Sequence, residues 1–206
     1  MDLQRQAVSS MLRRQYAQAL DRMVATYPLF LKSKRIAAYC AHQGEIDPYY
    51  ILKRAWSMGK RCYLPILHPL KKRCLWFVEY APGDPLYKNK FGILEPSIRG
   101  KAIIPAFILD LVLTPIVAFD NTLQRLGMGL GYYDQTFSFD HPFKVPVLLG
   151  LAYEFQEVHA LPRDHWDISL GGIATEKRIL SRDQASHGLH IPSLKEGCSI
   201  ACHPYP

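Results

Sequence analysis

The residues best able to do chemistry lie together, in the run Arg125-Leu126-Gly127-Met128-Gly129-Leu130-Gly131-Tyr132-Tyr133-Asp134. Glycines at alternate positions let a backbone approach a ligand closely and turn its N–H groups inward. The segment before the run reads as a buried strand ending at Asp120, and the segment after it as a short helix with a positive N-terminal end. Phosphate is the natural occupant of such a turn. Arg125 can add a charge-assisted hydrogen bond, and Asp134, just inside the helix, can take a Mg²⁺ that travels with a phosphate chain. The spacing fits neither the dinucleotide pattern G-x-G-x-x-G nor a P-loop ending in Gly-Lys-Ser/Thr. On the residues alone, a phosphate site and a purely structural turn both stand open.

The elements that must position this run follow from composition and periodicity. The chain has 206 residues, 49% hydrophobic and 21% charged, a globular balance that excludes wholesale disorder. At this size folding buries roughly 70% of the unfolded chain's surface, enough for one domain. No apolar run approaches the roughly 20 residues of a membrane span. The opening MDLQRQAVSSMLRRQ lacks a signal core, which predicts a cytoplasmic chain. Among five cysteines, Cys40, Cys62 and Cys74 sit in apolar runs, as reduced buried thiols do. Net charge is +7, suited to anionic partners in general. The basic runs Lys32–Arg35 and Lys71–Arg73 read as solvated loop charges.

Apolar spacing of three and four predicts a helix from Leu3 to Val24, ended by Pro28. Strands are expected at 35–41, 61–67, 75–80, 111–119, 145–152 and 172–175, the fifth and the nearly continuous fourth being buried on both faces. Asp47 reads as an N-cap and Pro48 as the first residue of a helix that stops at Gly59. Strands alternating with helices predict a single three-layer α/β domain around a mostly parallel sheet, spanning residues 1–180. The stretch 81–100, rich in Pro and Gly, shows no usable period. Residues 181–206 read as a tail, where Cys198, Cys202 and His203 make only a weak metal set.

The glycine run, preceded by Phe119-Asp120, resembles the signature of the 5-formyltetrahydrofolate cyclo-ligase family. Gly44-Glu45-Ile46-Asp47 resembles the family's turn after the first strand. Gly59-Lys60-Arg61 with Tyr63-Leu64-Pro65 resembles its second strand, and Leu161-Pro162, Trp166-Asp167-Ile168 and Thr175 its C-terminal block. The resemblance covers residues 20 to 180 and implies an enzyme that uses ATP and Mg²⁺ to convert 5-formyltetrahydrofolate, with or without a polyglutamate tail, to 5,10-methenyltetrahydrofolate. The formyl oxygen attacks the γ-phosphate, folate nitrogen 10 closes onto the imino-phosphate, and phosphate leaves. It implies Arg125 and Tyr133 as catalytic, and ATP bound by Arg5, Arg125, Leu126, Gly127, Met128, Gly129, Leu130, Gly131, Tyr132 and Tyr133. Folate falls to Cys40, Glu45, Met128, Gly129, Leu130, Gly131 and Tyr132, and the metal to Asp134 and Asp167. One tyrosine of the pair is expected to pack and the other to face ligand. Relatives often carry a longer basic run in the first helix, of which only Arg5 is present here, and an Arg where this chain has Gln135. The implied protein is a cytoplasmic monomer with small-molecule substrates and no nucleic-acid or membrane partner. Two other readings are a sugar-phosphate isomerase or CoA-transferase relative, which would need a Glu/Asp–Lys–His set, and a basic nucleic-acid-binding protein, which would bind any polyanion salt-sensitively.

Overall fold

The computed structural model describes residues 1–138, 145–162 and 167–181. The elements in chain order are α1 (Asp2–Ala7), α2 (Ser10–Ala25), α3 (Pro28–Lys32), β1 (Arg35–Ala37), α4 (Tyr49–Ser57), β2 (Arg61–Leu67), β3 (Leu75–Glu79), β4 (Leu86–Lys88), β5 (Leu94–Pro96), β6 (Ile103–Ile104), β7 (Leu111–Pro115), β8 (Ala118–Phe119), β9 (Arg125–Leu126), α5 (Tyr132–Phe137), β10 (Val147–Leu151), β11 (Gly172–Ala174) and β12 (Ile179–Ser181). Eight strands form one sheet in the order β12-β11-β10-β7-β1-β2-β3-β6. The five central strands β11, β10, β7, β1 and β2 pair in parallel, and β12, β3 and β6 add antiparallel edges.

The continuous apolar runs are explained by helix or loop on both faces. Along the parallel strands, residues alternate between two cores. Ile36, Cys62, Leu64, Leu111, Leu113, Leu149 and Leu151 face α2, α3 and α4. Ala37, Tyr63, Val112 and Leu148 face a second core with Phe77, Leu109, Phe119 and Phe137. At roughly 1.5–3 kcal/mol for each large apolar side chain buried, these two layers supply most of the drive to fold.

Several boundaries differ from the sequence reading. The first helix is two: Val8 is extended and Ser9 caps α2, its hydroxyl accepting the Leu12 N–H. Pro28 opens α3 rather than ending a helix. The expected strand 111–119 stops at Pro115, and Ala118–Phe119 leaves the sheet to pair with Arg125–Leu126. Strand β1 ends at Ala37, which frees Tyr39 and Cys40 from the ladder. Helix α4 starts at Tyr49, one residue late, with Asp47 still accepting the Tyr49 N–H. The unreadable stretch holds the β4–β5 hairpin, and β12 follows the strand expected to be last. The tail from residue 182, with Cys198, Cys202 and His203, lies outside the described residues.

Candidate active site

A cleft of about 550 Å³ opens beyond the carboxyl ends of β1, β2 and β7, where ligands of open α/β sheets bind. Tyr39, Cys40, His42 and Glu45 come from the chain leaving β1. Pro65 and Leu67 end β2, Pro115 ends β7, and 125–135 supplies the facing wall. Breaking β7 at Pro115 is what creates this geometry. The chain turns out of the sheet into the β8–β9 hairpin, and β9 delivers Arg125 and the glycines over the strand ends.

In the glycine turn, Gly129 and Gly131 are left-handed, at φ +77° and +65°, a conformation that strains any side chain. Gly127 has no such φ, and no protein atom lies within 4 Å of where a Cβ would sit at Gly127, Gly129 or Gly131. The backbone of the turn is therefore bare toward the solvent-filled space beside it. Gly131 serves as N-cap of α5.

Arg125 is held at two points: Nη1 donates to the Ile168 carbonyl at 2.7 Å and Nη2 to Asp134 Oδ1 at 2.5 Å. The same Oδ1 accepts the Ile168 N–H at 3.3 Å. The guanidinium's side chain is 8% exposed, so its position is set before any ligand arrives. Asp134 and Asp167 both line the cleft. Among the described residues no group of three or more His, Cys, Asp or Glu could hold a metal. Two hard carboxylates nevertheless fit Mg²⁺, which commonly takes one or two protein carboxylates and completes its shell with phosphate oxygens and water.

Glu45 is 9% exposed, and its Oε2 accepts the His42 N–H at 3.0 Å. Burial pushes this carboxyl up to about 7, against the opposing pull of that hydrogen bond and of Arg5. Burial first, and then the Glu45 charge, raises the Tyr133 hydroxyl well above its ordinary value. Tyr133 is thus a neutral hydrogen-bond donor at working pH, not a base. Burial likewise raises the Cys40 thiol to about 11, which makes it an inert wall residue. Both tyrosines line the cleft: Tyr133 stacks on Phe137, ring centroids 6.3 Å apart, and Tyr132 meets Phe91 edge-on at 6.1 Å. Packing and facing the cleft are not alternatives here, since each ring does both.

Arg5 stands apart from the other expected residues. It is 1% exposed and absent from the cleft wall. It pairs with Asp2 at 2.6 Å, while its Nε is buried without a partner. A Cβ on Gly44 would come within 2.8 Å of the Arg5 backbone, so α1 is packed directly behind the turn that carries Glu45. Arg13 fixes α1 in place by donating to the Arg5, Gln6 and Val8 carbonyls. Sequence reasoning missed Tyr39, His42, Arg73, Phe91 and Leu94, which also line the cleft. Arg73 was hidden in a basic run that reads as loop, and Phe91 and Leu94 in a stretch without period.

A sequence profile of the 5-formyltetrahydrofolate cyclo-ligase family matches residues 1–176. The chain is 42% identical over 140 residues to a 5-formyltetrahydrofolate cyclo-ligase of Haemophilus influenzae, covering 68% of this chain and 74% of that one. It is 39% identical over 163 residues to the Escherichia coli K12 enzyme of the same name, covering 79% and 88%. The solution structure of Aquifex aeolicus 5,10-methenyltetrahydrofolate synthetase superposes with a TM-score of 0.73 at 29% identity, covering 98% of this chain and 93% of that one. These similarities favour neither the isomerase or transferase reading nor the nucleic-acid reading.

Proposed function

The chain belongs to the 5-formyltetrahydrofolate cyclo-ligase family and is a ligase that closes 5-formyltetrahydrofolate to 5,10-methenyltetrahydrofolate; we propose that it does so with ATP, in this cleft, by phosphorylating the formyl oxygen. The observation that carries the assignment is the bare glycine turn between a preset guanidinium and a neutral, partly buried phenol. Phosphoryl transfer needs positioning and charge neutralisation more than a protein nucleophile, and this wall offers both.

In this reading the N–H groups of 127–131 and Arg125 hold the phosphates of ATP. Arg125 brings no reorganisation, because Ile168 and Asp134 already orient it. Tyr133 donates a hydrogen bond to an oxygen that gains charge as the phosphoryl group moves. Glu45, in its ionised form, accepts paired hydrogen bonds from the donor-rich edge of the pterin, with Cys40 and Tyr132 beside it. Asp134 and Asp167 are the residues that would hold Mg²⁺, which when bound neutralises phosphate charge. Arg5 acts from behind, its cation favouring the ionised form of Glu45.

Among the described residues no helix is long and apolar enough to cross a membrane. A cytoplasmic monomer acting on small molecules completes the reading. The free thiols Cys40, Cys62 and Cys74 support a reducing compartment.

Gly127→Ala tests the placement of ATP. Its backbone is not left-handed and its surroundings are empty, so a methyl there leaves the protein alone undisturbed. Calorimetric titration should show ATP affinity falling about tenfold with an unchanged melting temperature. Unchanged affinity would remove the glycine turn from the phosphate site.

A further inference from the structure

Strand β2 outruns β1. Ala37, the last residue of β1, pairs with Tyr63, and β2 continues to Leu67. Four further residues at about 3.3 Å each carry the β2–β3 hairpin roughly 13 Å past the end of β1. The hairpin is therefore one wall of the cleft that Glu45 also lines, with the run Lys71-Lys72-Arg73 at its tip. Leu67 and Leu75 of this hairpin and Phe91 and Leu94 beside it give the cleft an apolar stretch, next to Asn89 and Glu95, whose carboxylate accepts from Leu67 N–H and Asn89 Nδ2.

The tip is built, not loose. His68 Nδ1 accepts the Leu70 and Lys71 N–H groups at 3.1 and 2.9 Å, and its ring packs on Trp76 at 4.3 Å. Glu95 ties the neighbouring β4–β5 hairpin to the end of β2 by accepting the Leu67 N–H. Lys71, Lys72 and Arg73 are all exposed, and none has an acidic partner among the described residues. Arg73 lines the cleft and holds φ +58°, a left-handed backbone that glycine would adopt without strain. A strained backbone kept at a cleft wall points to a function for the side chain it carries.

We propose that the hairpin tip Lys71–Arg73 is a carboxylate subsite that binds the glutamate end of the folate, with Arg73 as the contacting residue. The proposal rests on the reading of the cleft as the folate site. A pterin at Glu45 directs the aromatic linker along the apolar stretch and the terminal carboxylates toward the three cations. The phosphates of ATP share the anionic chemistry and are the other source the test must separate.

The test compares Arg73→Gln and the triple variant Lys71→Gln/Lys72→Gln/Arg73→Gln with the full wild-type chain. Substrates are 5-formyltetrahydrofolate and the pteroate analogue lacking the glutamate. The KM for formylfolate should rise about threefold in the single variant and about tenfold in the triple, as expected for exposed charge pairs. The rise should shrink at high salt. The KM for ATP and for the pteroate analogue should not move, and the effect should fall on KM rather than kcat. Arg73→Gly serves as the folding control and should melt no lower than wild type while showing the same loss for formylfolate. A rise in the KM for ATP instead assigns the tip to phosphate and overturns the proposal, as does an equal loss on the pteroate analogue or no change at all. Absence of turnover in the wild type would overturn the cleft assignment itself, a separate result.

Discussion

Arg125 and Glu45 divide the cleft's electrostatics between them, and each makes a distinct prediction. Arg125→Ala removes a guanidinium bound to Asp134 and to the Ile168 carbonyl. Losing a charged hydrogen bond to phosphate should lower kcat/KM for ATP by about 1.5–3 kcal/mol, or roughly 10- to 150-fold. Steady-state kinetics on the folded variant checks this, and a near-normal kcat/KM would remove Arg125 from the site. Burial lifts the Glu45 carboxyl from an ordinary 4.5 to about 7. Between those values the folded chain keeps a proton that the unfolded chain has released. Stability contributed by this group is therefore full below pH 4.5, falls as pH rises to about 7 and is level above, a difference on the order of 3 kcal/mol. Melting temperatures from pH 5 to 8 should carry this slope in the wild type and lose it in Glu45→Gln. If the ionised form binds pterin, the KM for folate rises as pH falls below about 7, and that inflection also disappears in Glu45→Gln. An inflection that survives the substitution belongs to another group.

At the scale of elements, the short helix α1 is the part whose role the sequence concealed. Its apolar spacing runs on into α2, so periodicity reads one helix. The break is set by Ser9, whose hydroxyl caps α2, and by Arg13, which reaches back to three carbonyls at the end of α1. Neither contact leaves a periodic trace. Gly44 has φ +80° and meets the Arg5 backbone where a Cβ would be, so Gly44→Ala both strains its own backbone and pushes α1 away. We expect a loss of about 2 kcal/mol or more, seen as a melting temperature lower by about 4–8 °C, together with a raised KM for folate. An unchanged melting curve would show that α1 does not brace the Glu45 turn. The sheet was legible because buried parallel strands need continuous apolar runs, and β2 and β7 carry them. The hairpins β4–β5 and β8–β9 were not, because strands of two or three residues are too short to show a period. The glycine wall of the cleft was legible through the alternate glycines and their flanks. Arg73 and Phe91 enter it from hairpins, which only the tertiary fold brings to the cleft.

For the molecule as a whole, residues 1–181 are expected to fold and to form the cleft on their own. Strand β12 pairs with β11 through Ser181, and the family match ends at residue 176. A chain ending after Ser181 should melt within a few degrees of the full chain and keep its turnover. A fall of more than about 5 °C, at about 2–4 °C per kcal/mol for a domain of this size, would make the last 25 residues part of the fold. We propose that one cleft couples ATP cleavage to ring closure, and methenyl absorbance and phosphate release followed together, with 5-formyltetrahydrofolate, in the presence and absence of ATP and Mg²⁺, measure that coupling most directly. One phosphate should be released for each methenyl product, and no product should form without ATP. Product formed without ATP, or phosphate released without product, would contradict it.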